Sequence, residues 1–202
     1  MTGPEFTESL QRHRKLLIIL FVLIIAGVLA FFAYDKYQRH QMERAGVLYS
    51  EMSDSLASNN DAMVRASAET LVHDYGATPY ASMARFYLAR IDTEAKQDAK
   101  AEAQLQWLSD HSGLPAGMQP MARVALARLY LQNGKNQQVL QLLQKSDSAF
   151  AVVDWELRGD AEAGLRHYSQ ARDDYQKAIA ALPATDPYVA YLQMKMANLG
   201  VS

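Results

Sequence analysis

Met83-Ala84-Arg85-Phe86-Tyr87-Leu88-Ala89-Arg90 returns, 38 positions further along the chain, as Met121-Ala122-Arg123-Val124-Ala125-Leu126-Ala127-Arg128. The match extends beyond the octapeptide, because the same shift sets Ala101 on Val139, Leu105 on Leu143 and Leu108 on Ser146. Two segments therefore repeat together. Both are rich in Ala, Leu, Met and Arg, which lose little freedom in a helix. Self-similarity at a period of roughly 20–50 residues marks a stack of supersecondary units, none of which buries its apolar face alone. The pattern predicts an all-α solenoid of helical hairpins.

Outward from these copies, turn signals fall at intervals suited to hairpins: Ser58-Asn59-Asn60-Asp61, Tyr75-Gly76-Ala77-Thr78-Pro79, residues 112–120, Asn133-Gly134 and residues 183–187. The last unit resembles the tetratricopeptide pattern directly. Trp155, Gly159, Tyr168, Ala171, Tyr175, Ala178 and Pro183 follow its order of aromatic, small, aromatic, alanine, aromatic, alanine and proline. The small residues let antiparallel helices approach, the aromatics fill the space between them, and Pro183 ends the second helix. Arg158 departs from the pattern by standing where it prefers Leu.

The first unit, about residues 37–75, keeps only helical periodicity. Ala45, Leu48, Tyr49, Met52 and Leu56 line one face, followed by Ala66, Thr70 and His73. It reads either as a degenerate repeat or as a plain hairpin continuing the helix before it. At the other end, Asp186-Pro187 reads as an N-cap with proline at the first helical position, and Tyr188, Leu192, Met196 and Leu199 form the stripe of a capping helix. The expectation is thus a solenoid of three to four tetratricopeptide-like hairpins with a C-terminal capping helix.

Residues 16–34 read LLIILFVLIIAGVLAFFAY, without a charge. At about 1.5 Å per residue the run reaches roughly 28 Å, close to the ~30 Å hydrocarbon thickness of a bilayer. Arg12, Arg14 and Lys15 abut one end, and Tyr34 and Tyr37 take interfacial positions at the other. A cleaved secretory signal is the competing reading, with Val28-Leu29-Ala30 as the cleavage site, but the run exceeds the roughly 7–15 residues of a signal core. An uncleaved single-pass anchor is preferred. A count of flanking basic residues does not orient it, because Lys36, Arg39 and Arg44 balance the first cluster; Asp35 and Glu43 dilute the second cluster and favour a cytoplasmic N-terminus. The domain reading is a short cytoplasmic tail over residues 1–15, a transmembrane helix over 16–34 and a periplasmic repeat domain over 35–202.

Twenty Lys and Arg against 22 Asp and Glu leave a formal charge of -2, which argues against a nucleic-acid binder that works by neutralising phosphates. The chain has no cysteine, which removes disulfide, thiol and zinc-thiolate chemistry. His13, His40, His73, His111 and His167 lack the pairing of a helical zinc site, and phosphate-cradling glycine loops and nucleophile elbows are missing. Asp173-Asp174 reads as a solvated surface, since adjacent residues on a helix face different ways. The expectation is a protein-binding module rather than an enzyme, with no cofactor and no metal.

With these parts assembled, the chain resembles the YfgM family, the ancillary subunit of the bacterial SecYEG translocon. The resemblance is carried by the single anchor with its Tyr34-to-Gln41 exit YDKYQRHQ, by Thr78-Pro79-Tyr80-Ala81, by Arg158-Gly159-Asp160, and by Gln193-Met194-Lys195-Met196-Ala197-Asn198-Leu199. It implies an inner-membrane protein with a periplasmic repeat domain, working beside SecYEG and the membrane-anchored chaperone PpiD on unfolded secretory proteins. A scaffold of another cell-envelope assembly complex is the alternative. Tetratricopeptide stacks line their concave face with the first helix of each unit, and the corresponding positions here are Met83, Phe86, Arg90, Met121, Val124 and Arg128. These six form the expected protein-binding groove, apolar with two arginines and without the Lys and Asn arrangement that clamps a C-terminal carboxylate.

Overall fold

The computed structural model describes residues 4–144 and 148–200, with side chains from residue 18 onward. Among the described residues the chain is all helical. Its elements are α1 (Pro4–Ala57), α2 (Asp61–Asp74), α3 (Pro79–Glu94), α4 (Asp98–Asp110), α5 (Met118–Gln132), α6 (Asn136–Leu142), a 3-10 turn (Ser148–Phe150), α7 (Ala151–Gly164), α8 (Tyr168–Ala180) and α9 (Tyr188–Ala197). The chain divides into two units, with the boundary between Val47 and Leu48 inside α1.

In the first unit, α1 carries the apolar run, and every large apolar side chain from Ile18 to Phe32 is exposed. A helix with this surface on all sides has no protein core to bury it. It is the single candidate membrane span among the described residues, and its most apolar window has a mean hydropathy of 2.6. Beyond it, one-turn pairs dress the helix. Gln38 donates to the Tyr34 hydroxyl at 2.8 Å, Gln41 to Tyr37 at 2.9 Å, and Arg39 to Asp35 at 2.9 Å. The basic residues at 12, 14 and 15 belong to the helix, but their side chains lie outside the described set.

The second unit is a row of hairpins, and in each the same turn joins the two helices. Asn59, Lys96, Gly134 and Arg166 all adopt positive φ, between 55° and 68°. At each, two backbone bonds close the helix end. Asn60 N–H reaches Ser55 O, Gln97 reaches Asp92, Lys135 reaches Tyr130 and His167 reaches Glu162, at 2.7–2.9 Å. The residue before each of these bonds back to Leu56, Thr93, Leu131 or Ala163. This is the Schellman arrangement, which satisfies carbonyls that a helix end leaves without partners. It recurs four times, at spacings of 37, 38 and 32 positions.

From α2 onward consecutive helices pack along the row, and α5 also packs on α7, as first helices of neighbouring units do in a solenoid. The repeat seen in the sequence is a repeat of burial: Ala84 with Ala122, Leu88 with Leu126, Ala101 with Val139 and Leu105 with Leu143 are all core residues. The partner assigned to Leu108, Ser146, lies outside the described residues. Thr78 caps α3 by accepting from Ala81 N–H at 3.3 Å, ahead of Pro79. Asp186 accepts from Tyr188 N–H at 2.9 Å, but the N-cap of α9 is Pro187, one position later than the sequence reading placed it, and Leu192 of α9 is completely buried.

One stripe was misassigned. In α2 the buried face is Val64, Ser67, Ala68 and Leu71, while Ala66, Thr70 and His73 are exposed. Both sets keep helical spacing. The set with the larger apolar side chains wins because burying Val and Leu removes more apolar area from water.

Candidate protein-binding groove

Between α3 and α5 the surface opens into a cavity of about 180 Å³. Phe86 and Ala89 from α3, Leu105 from α4, and Ala125 and Leu129 from α5 give it apolar walls. Arg90 and Thr93 on one side, with Arg128 and Gln132 on the other, give it a polar rim. Two of its wall residues, Ala89 on α3 and Ala125 on α5, are small and leave space between the larger side chains.

Of the six positions read from the sequence, Phe86, Arg90 and Arg128 meet in this cavity. Met83 and Met121 lie on the same helices and are 38% and 53% exposed, outside the cavity wall. Val124 is 8% exposed, belongs to the core cluster with Leu126, Leu129 and Leu157, and lies outside the cavity wall. Its counterpart Phe86 is only partly buried. On α5, packed by α4, α6 and α7, the smaller Val side chain is enclosed. Ala125, Leu129 and Gln132 take part instead, and no sequence signal marked them.

The rim charges are weakly committed. Arg90 Nε lies 3.9 Å from Glu94 Oε1, and both side chains are about half exposed. Such a pair contributes little. Arg128 has no ion-pair partner among the described residues.

A second cavity of about 250 Å³ lies at the loops before α3 and α5, bordered by Thr78, Ser82, Trp107, His111 and Leu114. The Arg85 guanidinium sits 3.9 Å above the Trp107 ring, which stacks on His111 at 3.9 Å, and Arg85 donates to Gln104 at 2.7 Å. Burial lowers the Arg85 pKa from its ordinary value. This cluster holds α3 to α4.

At the C-terminal end, charge is buried and paired. Lys195 Nζ donates to Glu156 Oε1 at 2.7 Å and to both Asp160 oxygens at 2.7 and 2.8 Å. Tyr175 donates to Asp160 at 2.7 Å and Tyr188 to Glu156 at 2.5 Å. Burial alone would lower the Lys195 pKa, but its bonds to Asp160 and Glu156 outweigh that and raise it. Burial, followed by the neighbouring carboxylates, raises Tyr175 and pushes Tyr188 up to about 12. Tyr130, buried beside Glu102, is likewise pushed up to about 12. Tyr175 and Tyr188 serve as neutral donors that hold α7, α8 and α9 together, and Tyr130 ties α5 to α4.

Asp174 was expected at a solvated surface, yet it is 3% exposed. Arg158 at 3.3 Å and Lys177 at 2.9 Å neutralise it. This explains Arg158 at a leucine position: its Nη1 also donates to the Leu143 carbonyl at 3.1 Å, at the end of the short helix α6. An aliphatic side chain would leave that carbonyl and Asp174 under-satisfied.

No group of His, Asp and Glu among the described residues is arranged to hold a metal ion. His73 and His167 each sit beside an acid, at 2.6 Å from Asp74 and 2.8 Å from Glu162. Compared with known proteins, residues 10–201 match the family model described as a tetratricopeptide repeat-like domain. No curated protein matches the chain.

Proposed function

Because the chain belongs to the tetratricopeptide repeat-like domain family, we propose that it is a membrane-anchored adaptor that binds proteins through the groove between α3 and α5 rather than catalysing a reaction. The observation that carries this is the groove itself, an apolar cavity with two weakly committed arginines on the first helices of adjacent repeats. A module of this family uses such helices to hold partners. The apolar run of α1 supports a single-pass anchor at residues 16–34; dilution of the second basic cluster by Asp35 and Glu43, with the YfgM resemblance, favours residues 1–15 cytoplasmic and the repeat domain from residue 35 periplasmic. Resemblance to the YfgM family supports an inner-membrane site at the SecYEG translocon, where the groove helps pass unfolded secretory proteins to PpiD. In this reading Met83 and Met121 widen the apolar contact beside Phe86, since methionine adapts its shape at little cost.

Co-purification of the full chain in mild detergent, followed by mass spectrometry, tests the proposal. Translocon subunits and PpiD should accompany the parent. Met121→Ser with Ala125→Gln, which fills the cavity from a partly exposed position, should cut their recovery about tenfold, equivalent to ~1.4 kcal/mol. Unchanged recovery by the folded variant would place binding elsewhere. A fixed stoichiometric envelope complex in place of translocon subunits would select the scaffold alternative.

A further inference from the structure

We infer that the groove selects peptide segments in which a carboxylate side chain lies next to a large apolar one. The inference rests on the groove being the binding surface and adds the chemistry of its occupant. Nine side chains line the cavity; two are arginines and none is an acid. Arg90 and Arg128 occupy equivalent places, six residues before the positive-φ residues Lys96 and Gly134. The same place in the first and last hairpins holds Ser53 and Asp160. Asp160 is spent on Lys195 and Tyr175. The paired positive charge is therefore a property of this one inter-repeat gap and not of the repeat in general.

An arginine kept at such a place for stability would face an acid across the gap. Arg128 faces none among the described residues, and Arg90 has only Glu94 on its own helix. Two like charges beside one apolar cavity repel until an anion lies between them, and guanidinium groups take carboxylates through directed, charge-assisted hydrogen bonds. Phe86, Ala89, Leu105 and Leu129 offer the neighbouring space to an apolar side chain. A segment bearing both features satisfies rim and floor together, whereas a lysine in place of the acid is repelled.

The test uses the full chain in detergent micelles and three fluorescent 12-residue peptides of one apolar background. Beside a central Phe these carry Glu, Gln or Lys. Anisotropy titration should show the Glu peptide binding about three- to tenfold more tightly than the Gln peptide, as one or two half-exposed ion pairs allow, and the Lys peptide weakest. The Glu advantage should vanish in Arg90→Gln/Arg128→Gln and shrink in about 0.5 M salt, where screening is short-ranged. Binding of the Gln peptide should fall by much less than that of the Glu peptide in that variant. Equal binding of Glu and Gln peptides, both lost on Ala125→Gln, would overturn the acid selectivity and leave the groove standing. Binding of all three that is indifferent to Ala125→Gln, or no binding at all, would overturn the groove and the inference with it. A Glu advantage that persists without the two arginines would also overturn it.

Discussion

Replacing Gly159 by alanine should destabilise the C-terminal hairpin despite alanine's better helix propensity. A Cβ built at Gly159 would lie 2.6, 2.7 and 3.0 Å from three atoms of the Tyr175 ring. That is well inside van der Waals contact, and the ring has no free direction in which to yield. Its hydroxyl donates to Asp160, which Lys195 holds in turn, and Tyr175 is 3% exposed among Ala171, Ala178 and Leu192. Overpacking costs about 1–3 kcal/mol. A ring displaced by ~0.8 Å also stretches a hydrogen bond to a charged acceptor, worth about 1.5–3 kcal/mol. Against this, Gly to Ala inside a helix returns about 1 kcal/mol. The net is a loss of about 2–4 kcal/mol, or roughly 5–15 °C in Tm for a domain of this size. Thermal unfolding of the full chain in detergent, followed by circular dichroism at 222 nm, measures it. Adding Tyr175→Leu to Gly159→Ala makes room for the methyl group, so the double variant should lie above the sum of the two single losses. A Tm for Gly159→Ala within about 2 °C of the parent would refute the close-approach argument.

Lys195→Met leaves Glu156, 6% exposed, and Asp160 without their cation. Breaking a buried pair costs about 3–5 kcal/mol, and with the lysine side chain still 19% exposed the loss should lie toward ~2–3 kcal/mol, partly recovered by adding Glu156→Gln; denaturant unfolding that places Lys195→Met within ~0.5 kcal/mol of the parent would remove the network's role. Tyr130 and Tyr188 hold their protons more tightly when folded, at about 12 against an ordinary 10.0. Their contribution is therefore complete below pH 10 and lost as pH rises through 12, so melting temperature should hold to about pH 9.5 and then fall, a trend that Tyr188→Phe should soften. For the anchor, alkaline carbonate washing should leave the full chain in the membrane pellet, and protease added to spheroplasts should reach residues beyond Tyr37. Release into the wash would refute the anchor, and protection until lysis would refute the periplasmic placement.

Helical periodicity and residue size are local properties, and what depends on them was legible along the chain. The all-α class, the 38-residue recurrence of Met83 to Arg90, the apolar run at 16–34, the close approach at Gly159 and the cap at Thr78 all belong to this kind. They follow from propensity, spacing and side-chain volume over a few turns of helix. The hairpin turns divide. Asn59 and Gly134 carry residues known to accept positive φ, whereas Lys96 and Arg166 do so without any sequence signal, forced by the closing bonds to Asp92 and Glu162. Everything that depends on which helix covers which face was decided by packing. Equivalent positions Phe86 and Val124 part company, the first partly open and the second enclosed in the core cluster. Asp174 turns inward because Arg158, a departure from the repeat, arrives to neutralise it. The groove takes Ala125, Leu129 and Gln132 from α5 because a cavity belongs to the gap between two helices, and a gap has no address in either helix alone.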